Sequence, residues 1–434
     1  MVGAAPSGRD GRGAGVAWGM ARAHLVDLGR RAKAASRALA VAGTAAKDGA
    51  LGVAADLVEG RAREILGHNA ADLDSAGAEG ASEVQLDRLR LTGDRVLAMA
   101  ASLRDIAALR DPVGEVVEGW RRPNGLLIER VRVPLGVVGI IYENRPNVTS
   151  DAAGLCLKAG NATMLRGSSS ALRSNTAIVG CLRDALAKVG LPEDAVVLVS
   201  DTSRDAAVEF MQLEGMIDCL VPRGGHSLVA SIREHATVPY VIDGDGNCHV
   251  YVDGAADLDM ALSIVVNAKT QRPGVCNAAE SLLVHEDVAA EFLPRAAEAL
   301  AGVELRGDER SRAVVAAMGP ATEEDFATEF LGPVLSVAVV RDLGAAIDHI
   351  ARYGSGHSEA IVTTDLRAAE RFCREVDAAA VVVNASTRFV DGGEFGLGSE
   401  IGISTQKLHA RGPMGLRELT CVKYLVIGDG QVRS

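Results

Sequence analysis

A Pro-Gly turn carries Cys276, the side chain best placed for covalent chemistry. A helix predicted from Leu258 to about Lys269 ends just before this turn, which leaves the thiol beside Arg272 and Lys269. Nearby positive charge lowers the pKa of a thiol and favours the nucleophilic thiolate. A free cysteine is more often a buried structural residue, but the turn and the two cations favour reactivity. We therefore predict that Cys276 is a catalytic nucleophile.

The other six cysteines lie in helical or strand patterns, and we interpret them as structural. No two of the seven have CxxC spacing, so neither a zinc site nor a redox dithiol is indicated and no metal is expected. An odd number of scattered cysteines is typical of free thiols in a reducing compartment. The six are Cys156, Cys181, Cys219, Cys248, Cys373 and Cys421.

A polar cluster follows the apolar strand predicted over 137–142. Either Asn144 or Asn147 can donate a side-chain amide N–H to an oxyanion that develops during acyl transfer. Asn-Arg-Pro-Asn is also ordinary strand-terminating turn chemistry. Spacing alone does not decide between the two interpretations, and Arg145 adds a cation to the same cluster.

Two further segments lead from a strand to the start of a helix with basic, small or hydroxyl residues. One contains Arg166, Gly167 and Ser168, and the other runs over 223–225 as Arg-Gly-Gly. Such segments suit a phosphate group, because a helix N-terminus presents free backbone N–H groups. Neither is a GxGxxG motif, and ordinary helix capping explains each one as well.

Length and charge limit the class of protein. The chain has 434 residues, which suggests two or three domains, and its formal charge is 45 − 57 = −12. Nucleic acid and acidic membranes are therefore unexpected as general partners. No apolar run approaches the roughly 20 residues of a membrane helix, and the start lacks the apolar centre of a signal peptide. Residues 1–20 are expected to be a disordered extension, with the true start near Met20.

Periodicity predicts an α/β protein. Residues 21–110 have helical spacing, and 116–133 form a β-hairpin around Pro-Asn-Gly at 123–125. Short β-branched runs then alternate with amphipathic helices, which indicates parallel sheets covered on both faces. A terminal strand over 418–427 should pair with the hairpin or with another subunit. The predicted parallel strands are 137–142, 162–165, 195–199, 216–221, 238–242, 281–284, 336–340, 360–363 and 380–383.

Taken together, these segments resemble the aldehyde dehydrogenase superfamily from about Pro134 to the C-terminus. Within it the chain is similar to the γ-glutamyl phosphate reductases, also called glutamate-5-semialdehyde dehydrogenases. EFLGPV at 329–334 is similar to the superfamily string in which a Glu holds the nicotinamide-side ribose, which assigns that role to Glu329. The strings that carry the family resemblance are YENRPNVT (142–149), VPRGG (221–225), GNCHVYVD (246–253), NAKTQRPGVCN (267–277), FGLGSEIGIS (395–404) and RGPMGL (411–416).

The resemblance implies that L-glutamyl 5-phosphate is reduced by NADPH to glutamate 5-semialdehyde, the second step of proline biosynthesis, in the cytoplasm. It implies an aldehyde dehydrogenase-like α/β fold and a homo-oligomer, with a glutamate 5-kinase as a possible partner that supplies the substrate. A Rossmann-like NADP-binding domain would comprise 21–113 and 135–249, and a catalytic α/β domain 250–404. A small β-flap formed by 114–134 and 405–434 would mediate oligomerisation.

The resemblance also assigns residues. Cofactor contacts fall on Arg166, Gly167, Ser168, Arg223, Gly224, Gly225 and Glu329. The superfamily pattern supports Asn144 as the oxyanion donor and the family pattern supports Asn147, so both stay candidates. Arg145, Lys269 and Arg272 are expected to bind the substrate phosphate, since phosphate recognition uses Arg forks and Lys point charges.

Three other functions compete with this prediction. An NAD(P)-dependent aldehyde dehydrogenase that makes free acid needs a carboxylate base to activate water. That position falls on Asp243, one methylene shorter than Glu and in an altered string, so we expect no such base. A cysteine hydrolase would pair Cys276 with a histidine such as His249 or His357, but the nicotinamide-site strings argue against it. A non-catalytic scaffold would not need a thiol on a turn beside Arg272.

Overall fold

The structure is a computed structural model that describes residues 11–242 and 244–433. These residues form two compact units. The first contains the chain up to Val241 and the segment from Leu416 onward, and the second is Ile242–Gly415. The boundaries differ from the predicted ones at 249/250 and 404/405. A division at 249/250 would cut through a central strand of the second unit's sheet.

Five helices open the first unit, as the helical spacing predicted. Two of them begin at polar caps, Ser82 and Thr92, whose hydroxyls accept hydrogen bonds from free backbone N–H groups. The first helix already includes residues 11–20, which corrects the predicted disordered extension because this Ala- and Arg-containing segment is continuous with the amphipathic helix after it; residues 1–10 lie outside the described part. The helices are α1 (Gly11–Leu39), α2 (Thr44–Gly60), α3 (Ala62–Ala78), α4 (Glu83–Leu89) and α5 (Gly93–Ala108).

The predicted hairpin is present as β1 (Val116–Arg121) and β2 (Leu127–Pro134), which pair antiparallel. A four-stranded parallel sheet follows, in the order β5-β4-β3-β6. Its elements alternate along the chain as β3 (Val137–Tyr142), α6 (Asn147–Lys158), β4 (Ala162–Arg166), α7 (Leu172–Lys188), β5 (Val196–Leu198), α8 (Arg204–Met211), β6 (Cys219–Arg223) and α9 (His226–His235), with short 3₁₀ turns at Ser169–Ala171 and Glu193–Ala195.

One predicted strand of the first unit is wrong. Residues 238–242 form only an isolated bridge, between Leu220 and Tyr240. Pro239 lies inside this run and has no N–H to donate, so the ladder does not extend there.

The second unit contains a seven-stranded parallel sheet in the order β10-β9-β11-β8-β7-β12-β13. Alternate side chains enter two cores, since Val250 and Leu282 pack on one face while Tyr251 and Leu283 pack on the other. Its elements are β7 (Cys248–Val252), α10 (Leu258–Thr270), β8 (Ala279–His285), α11 (Glu286–Ala299), β9 (Glu304–Gly307), α12 (Glu309–Val314), β10 (Gly319–Pro320), α13 (Glu323–Phe326), β11 (Val334–Val340), α14 (Leu343–Tyr353), β12 (Ser358–Val362), α15 (Leu366–Glu375), β13 (Ala380–Val383), a 3₁₀ turn at Thr387–Phe389, and the short pair β14 (Ile403–Ser404) and β15 (Gly412–Pro413).

The terminal strand β16 (Thr420–Ile427) returns to the first unit and pairs antiparallel with β2. This confirms the hairpin as its partner and gives a three-stranded sheet in the order β1-β2-β16. The outer strand exposes apolar side chains, with Tyr424 60% and Val426 58% exposed. None of the helices in the described part of the chain is both long and apolar enough to span a bilayer.

Candidate active site

The turn that carries Cys276 lies between the end of α10 at Thr270 and the start of β8 at Ala279. The Cys276 side chain is partly buried. Four other cysteines are buried as predicted, but Cys373 and Cys421 are exposed, which corrects the structural interpretation of those two. All seven are free thiols, and Cys276 alone combines partial exposure with a turn beside cations.

The backbone of Cys276 packs closely against Gly246. A Cβ atom on Gly246 would lie 1.7 Å from the carbonyl oxygen of Cys276. The Cys248 thiol donates a hydrogen bond to the same oxygen, with an S···O distance of 3.1 Å. Burial, followed by the nearby Glu359, raises the pKa of Cys248 well above its ordinary value, so this thiol stays protonated and can donate. Gly246 and Cys248 therefore fix the position of the backbone that presents the nucleophile.

Glu329 contacts Gly246, the glycine that packs against the backbone of Cys276. Its Oε1 accepts a hydrogen bond from the Gly246 N–H at 2.8 Å. The predicted ribose-binding Glu329 and the nucleophile Cys276 are thus both in contact with Gly246.

Two arginines supply positive charge around the thiol. Arg272 is exposed on the turn that carries Cys276, and Arg388 is a second cation that the sequence interpretation missed. The Arg388 Nε donates to Gln271 Oε1 at 2.9 Å. Desolvation lowers the pKa of Arg388, and the neighbouring Arg272 lowers it further, while Asp391 and Cys276 act in the opposite direction. The site therefore holds two like charges close to the thiol.

Lys269 does not join these arginines. Its side chain is fully buried, and its Nζ lies 2.5 Å from Glu280 Oε2. The helical phase of α10 explains the difference, because Lys269 follows Val265 and Ala268 on the buried face. Burial lowers the pKa of Lys269 and raises the pKa of Glu280 to about 7. The predicted phosphate contact is thus corrected to an internal pair.

Glu280 has a second contact, with the loop that contains Glu329. Its Oε1 accepts from the Leu331 N–H at 3.2 Å. Leu331 has a positive φ of 51°, which is uncommon for a residue other than glycine. The Lys269–Glu280 pair therefore connects α10, β8 and the backbone of Leu331.

In the first unit, the predicted residues gather at the carboxyl ends of β3, β4 and β6. The Asn144 Oδ1 accepts hydrogen bonds from Ser168 Oγ at 2.7 Å and from Ser170 Oγ at 2.6 Å. Asn147 is the first residue of α6, and its Nδ2 donates to Asp151 Oδ2 at 3.0 Å. Arg145 is exposed in the turn between the two asparagines.

Arg166 ends β4 and retains donor capacity. Its Nη2 donates to the carbonyl oxygens of Thr202 and Ser203, at 2.7 and 2.8 Å. Its Nε is buried and has no hydrogen-bond partner among the described residues. Desolvation lowers the pKa of this guanidinium. An acceptor from a bound anion would satisfy the buried N–H.

Two glycines at this sheet edge lie too close to neighbouring side chains for any larger residue to fit without a shift. A Cβ on Gly167 would lie 2.4 Å from Asn175 Nδ2, and a Cβ on Gly224 would lie 2.8 Å from Glu143 Cδ. Gly225 is different, since it precedes α9 and a Cβ there would meet nothing within 4 Å. With Arg223 at the end of β6, this edge combines cations, an open helix N-terminus and a parallel sheet, which fits a dinucleotide.

A family model described as the aldehyde dehydrogenase family matches residues 20–327 and 314–424. The chain belongs to the aldehyde dehydrogenase family. Enzymes of this family use NAD or NADP, and the unsatisfied Arg166 Nε with the open start of α9 fits such a cofactor.

Relatives within the family agree with the resemblance found in the sequence. Two proteins named gamma-glutamyl phosphate reductase, from Clostridium beijerinckii and Carboxydothermus hydrogenoformans, are 53% and 56% identical to the chain. Each match covers 94% of this chain and 99% of the relative. The crystal structure of gamma-glutamyl phosphate reductase from Thermotoga maritima superposes with a TM-score of 0.93 at 48% identity, over 94% of this chain and all of that one. The predicted family and fold are confirmed.

The histidines of the hydrolase alternative are unsuitable as bases for this family member. His249 is fully buried, and its Nδ1 lies 2.9 Å from Glu359 Oε2. His357 is also fully buried, where its Nδ1 contacts Ser358 Oγ at 2.8 Å. Burial lowers the pKa of His357 to about 4, far from the range of an effective general base at neutral pH.

The remaining predictions concern Asp243 and metals. Asp243 lies outside the described residues. Within residues 11–242 and 244–433, no group of three His, Cys, Asp or Glu side chains is arranged to hold a metal ion.

Proposed function

We propose that the chain catalyses the NADPH-dependent reduction of L-glutamyl 5-phosphate to L-glutamate 5-semialdehyde and phosphate, in the biosynthesis of proline. The observation that carries this proposal is the 53–56% identity over 94% of the chain to relatives named gamma-glutamyl phosphate reductase. The geometry around Cys276 supports it, because a partly buried thiol beside arginines suits attack on an anionic acyl group.

Cys276 acts first. Its thiolate attacks the acyl carbon, a C–S bond forms, and the C–O bond to phosphate breaks with its electron pair leaving on the phosphate. Phosphate is a good leaving group, so the thioester forms without a general acid. When bound, NADPH supplies the hydride that reduces the thioester carbon. Breaking the C–S bond then releases the aldehyde and regenerates the Cys276 thiolate.

The remaining residues have positioning and binding roles in this proposal. Asn144 and Asn147 are the candidates for donating an N–H to the substrate oxygen as its charge develops. The hydrogen bonds support Asn144, since its oxygen accepts from two hydroxyls while its amide nitrogen donates to none of the described residues, whereas one N–H of Asn147 donates to Asp151. The residues proposed to hold the cofactor are Arg166, Gly167, Ser168, Arg223, Gly224, Gly225 and Glu329.

We also propose that the protein forms a homo-oligomer. The exposed apolar strand β16 and the exposed Val116 and Val117 of β1 support a role of the three-stranded sheet in a homo-oligomer, because unpaired sheet edges readily pair with another chain. Seven free thiols support a reducing compartment such as the cytoplasm. A glutamate 5-kinase that supplies the acyl phosphate is the proposed functional partner.

The reverse reaction tests the proposed function. Oxidation of glutamate 5-semialdehyde by NADP should depend on inorganic phosphate and saturate with it, since phosphate is needed to release the acyl group from Cys276. The measurement is the rate of NADP reduction across a phosphate series, with arsenate as a substitute nucleophile. A full rate in phosphate-free buffer, with glutamate as product, would mean that water is activated. Asp243 would then be the base, and oxidation of a free aldehyde would replace the proposal.

We predict a preference for NADPH over NADH that depends on Arg166. The 2′-phosphate of NADPH would gain charge-assisted hydrogen bonds from a guanidinium whose Nε has no partner among the described residues. In Arg166→Ala, kcat/KM and fluorescence-measured affinity should both fall about tenfold for NADPH, or about 1.4 kcal/mol, and change little for NADH. Arg63→Ala, at an exposed arginine of α3, is the matched control. Equal kcat/KM for both cofactors in the wild type would contradict the prediction.

A further inference from the structure

Arg388 is held against the Cys276 turn from a distant part of the chain. Its Nε bonds to Gln271, 117 residues earlier in the sequence. On the other side of the thiol, Asn277 Nδ2 donates to the Val390 carbonyl oxygen at 2.9 Å. These two hydrogen bonds bracket Cys276 and attach the turn to the segment around the 3₁₀ turn Thr387–Phe389. The Arg388 guanidinium is therefore a fixed part of the surroundings of the nucleophile.

Within the described ranges, the two arginines of this turn form no salt bridge, although the Asp391 carboxylate is near enough to raise the pKa of Arg388. Arginines elsewhere in this unit, such as Arg306 and Arg411, form salt bridges with carboxylates. Among the described residues, neither Arg272 nor Arg388 has a carboxylate oxygen within salt-bridge distance. The nearby Asp391 uses its Oδ1 to accept from the Gly393 N–H at 2.8 Å. Two guanidiniums beside each other without a salt-bridge partner repel, and a bound dianion would relieve that repulsion.

We propose that Arg388, together with Arg272, binds the phosphoryl group of the acyl phosphate and the phosphate that leaves. This inference rests on the proposed function. The substrate has a second anionic group, its α-carboxylate, which a guanidinium can bind by the same chemistry. Phosphate is favoured by position, because its oxygen is bonded to the carbon that Cys276 attacks, whereas the α-carboxylate lies at the other end of the carbon chain.

The two arginines act on the leaving group. As the C–S bond forms and the C–O bond breaks, negative charge accumulates on the phosphate oxygen, and no proton is required. Guanidinium N–H groups in a planar fork can bind two phosphate oxygens at once. In the reverse direction the two arginines hold phosphate next to the thioester carbon. Removing either arginine should therefore raise the KM for phosphate.

The test measures two KM values in the reverse reaction, one for phosphate and one for glutamate 5-semialdehyde. In Arg388→Ala, the KM for phosphate should rise at least about tenfold, equivalent to about 1.4 kcal/mol of binding, while the KM for semialdehyde changes less than about threefold. In Arg388→Lys, the KM for phosphate should lie between the values of the wild type and of Arg388→Ala, because lysine restores the positive charge but not the planar fork of N–H groups. Arg374→Ala, at an exposed arginine of α15 in the same unit, is the control and should match the wild type.

The possible outcomes separate this inference from the proposed function. A wild type that needs no phosphate would contradict the proposed function itself. If the wild type saturates with phosphate but Arg388→Ala raises only the KM for semialdehyde, the arginine binds the carboxylate and the inference is wrong. Equal changes in both KM values, or none, would also overturn it. If Arg388→Ala fails to fold, the inference is tested with Arg388→Lys and Arg272→Ala. An unchanged KM for phosphate in both of these variants would overturn it.

Discussion

Replacing Cys276 by serine should abolish turnover. A hydroxyl is far less ionised than a thiol at neutral pH, so the acyl transfer that begins the reaction fails. We expect kcat to fall by at least about a thousandfold, which corresponds to about 4 kcal/mol of activation barrier. The affinity for NADPH, measured by fluorescence titration, should stay unchanged, because the sulfur-to-oxygen exchange removes no predicted cofactor contact.

The matched control for this variant is Cys373→Ser, at an exposed cysteine of α15, which should retain the wild-type rate. A Cys276→Ser enzyme with more than about a tenth of wild-type activity would make a covalent role of Cys276 untenable, since one decade is only about 1.4 kcal/mol.

Replacing Gly246 by alanine should have the second-largest effect. The added methyl group would overlap the Cys276 carbonyl oxygen, 1.7 Å from the ideal Cβ position, and backbone cannot yield as a flexible side chain does. The turn must move, and a displacement of about 1 Å in an active site can cost roughly a hundredfold in rate. We therefore expect kcat to fall about a hundredfold, and the unfolding free energy to fall by about 1–3 kcal/mol as in other overpacked sites.

The control for this variant is Gly302→Ala, because that glycine lies in the same unit and its added methyl group would meet nothing within 4 Å. Thermal unfolding and the rate of Cys276 alkylation should be measured together. If Gly246→Ala keeps wild-type kcat and alkylation rate, the close packing under the nucleophile has no functional role.

Local patterns were sufficient to predict most of the architecture. Alternation of β-branched runs with amphipathic segments predicted the parallel strands, and the Pro-Asn-Gly turn predicted the hairpin of β1 and β2. The predicted strand at 238–242 failed because Pro239 has no N–H to donate to a ladder, and this outweighs the β-branched composition of the run. The turn position of Cys276 was also predictable, since it depends on its immediate neighbours.

Contacts between distant segments were not predictable in the same way. Lys269 was assigned to phosphate because it is near Cys276 in sequence, but the phase of α10 and the partner Glu280 place it inside. Gly246 and Arg388 reach Cys276 only through the fold. One signal for Arg388 was available, because it follows the predicted strand at 380–383 and ligand-binding residues gather at the carboxyl ends of parallel strands.

Trapping the acyl-enzyme tests the central claim most directly. The protein is mixed with glutamate 5-semialdehyde and NADP in phosphate-free buffer, quenched with acid, digested and analysed by mass spectrometry. We predict a nearly stoichiometric glutamyl group on the peptide that contains Cys276, which disappears when phosphate is added before the quench. An unmodified Cys276 peptide, with NADPH formed at the full rate and free glutamate as the product, would contradict a thioacyl intermediate that waits for phosphate.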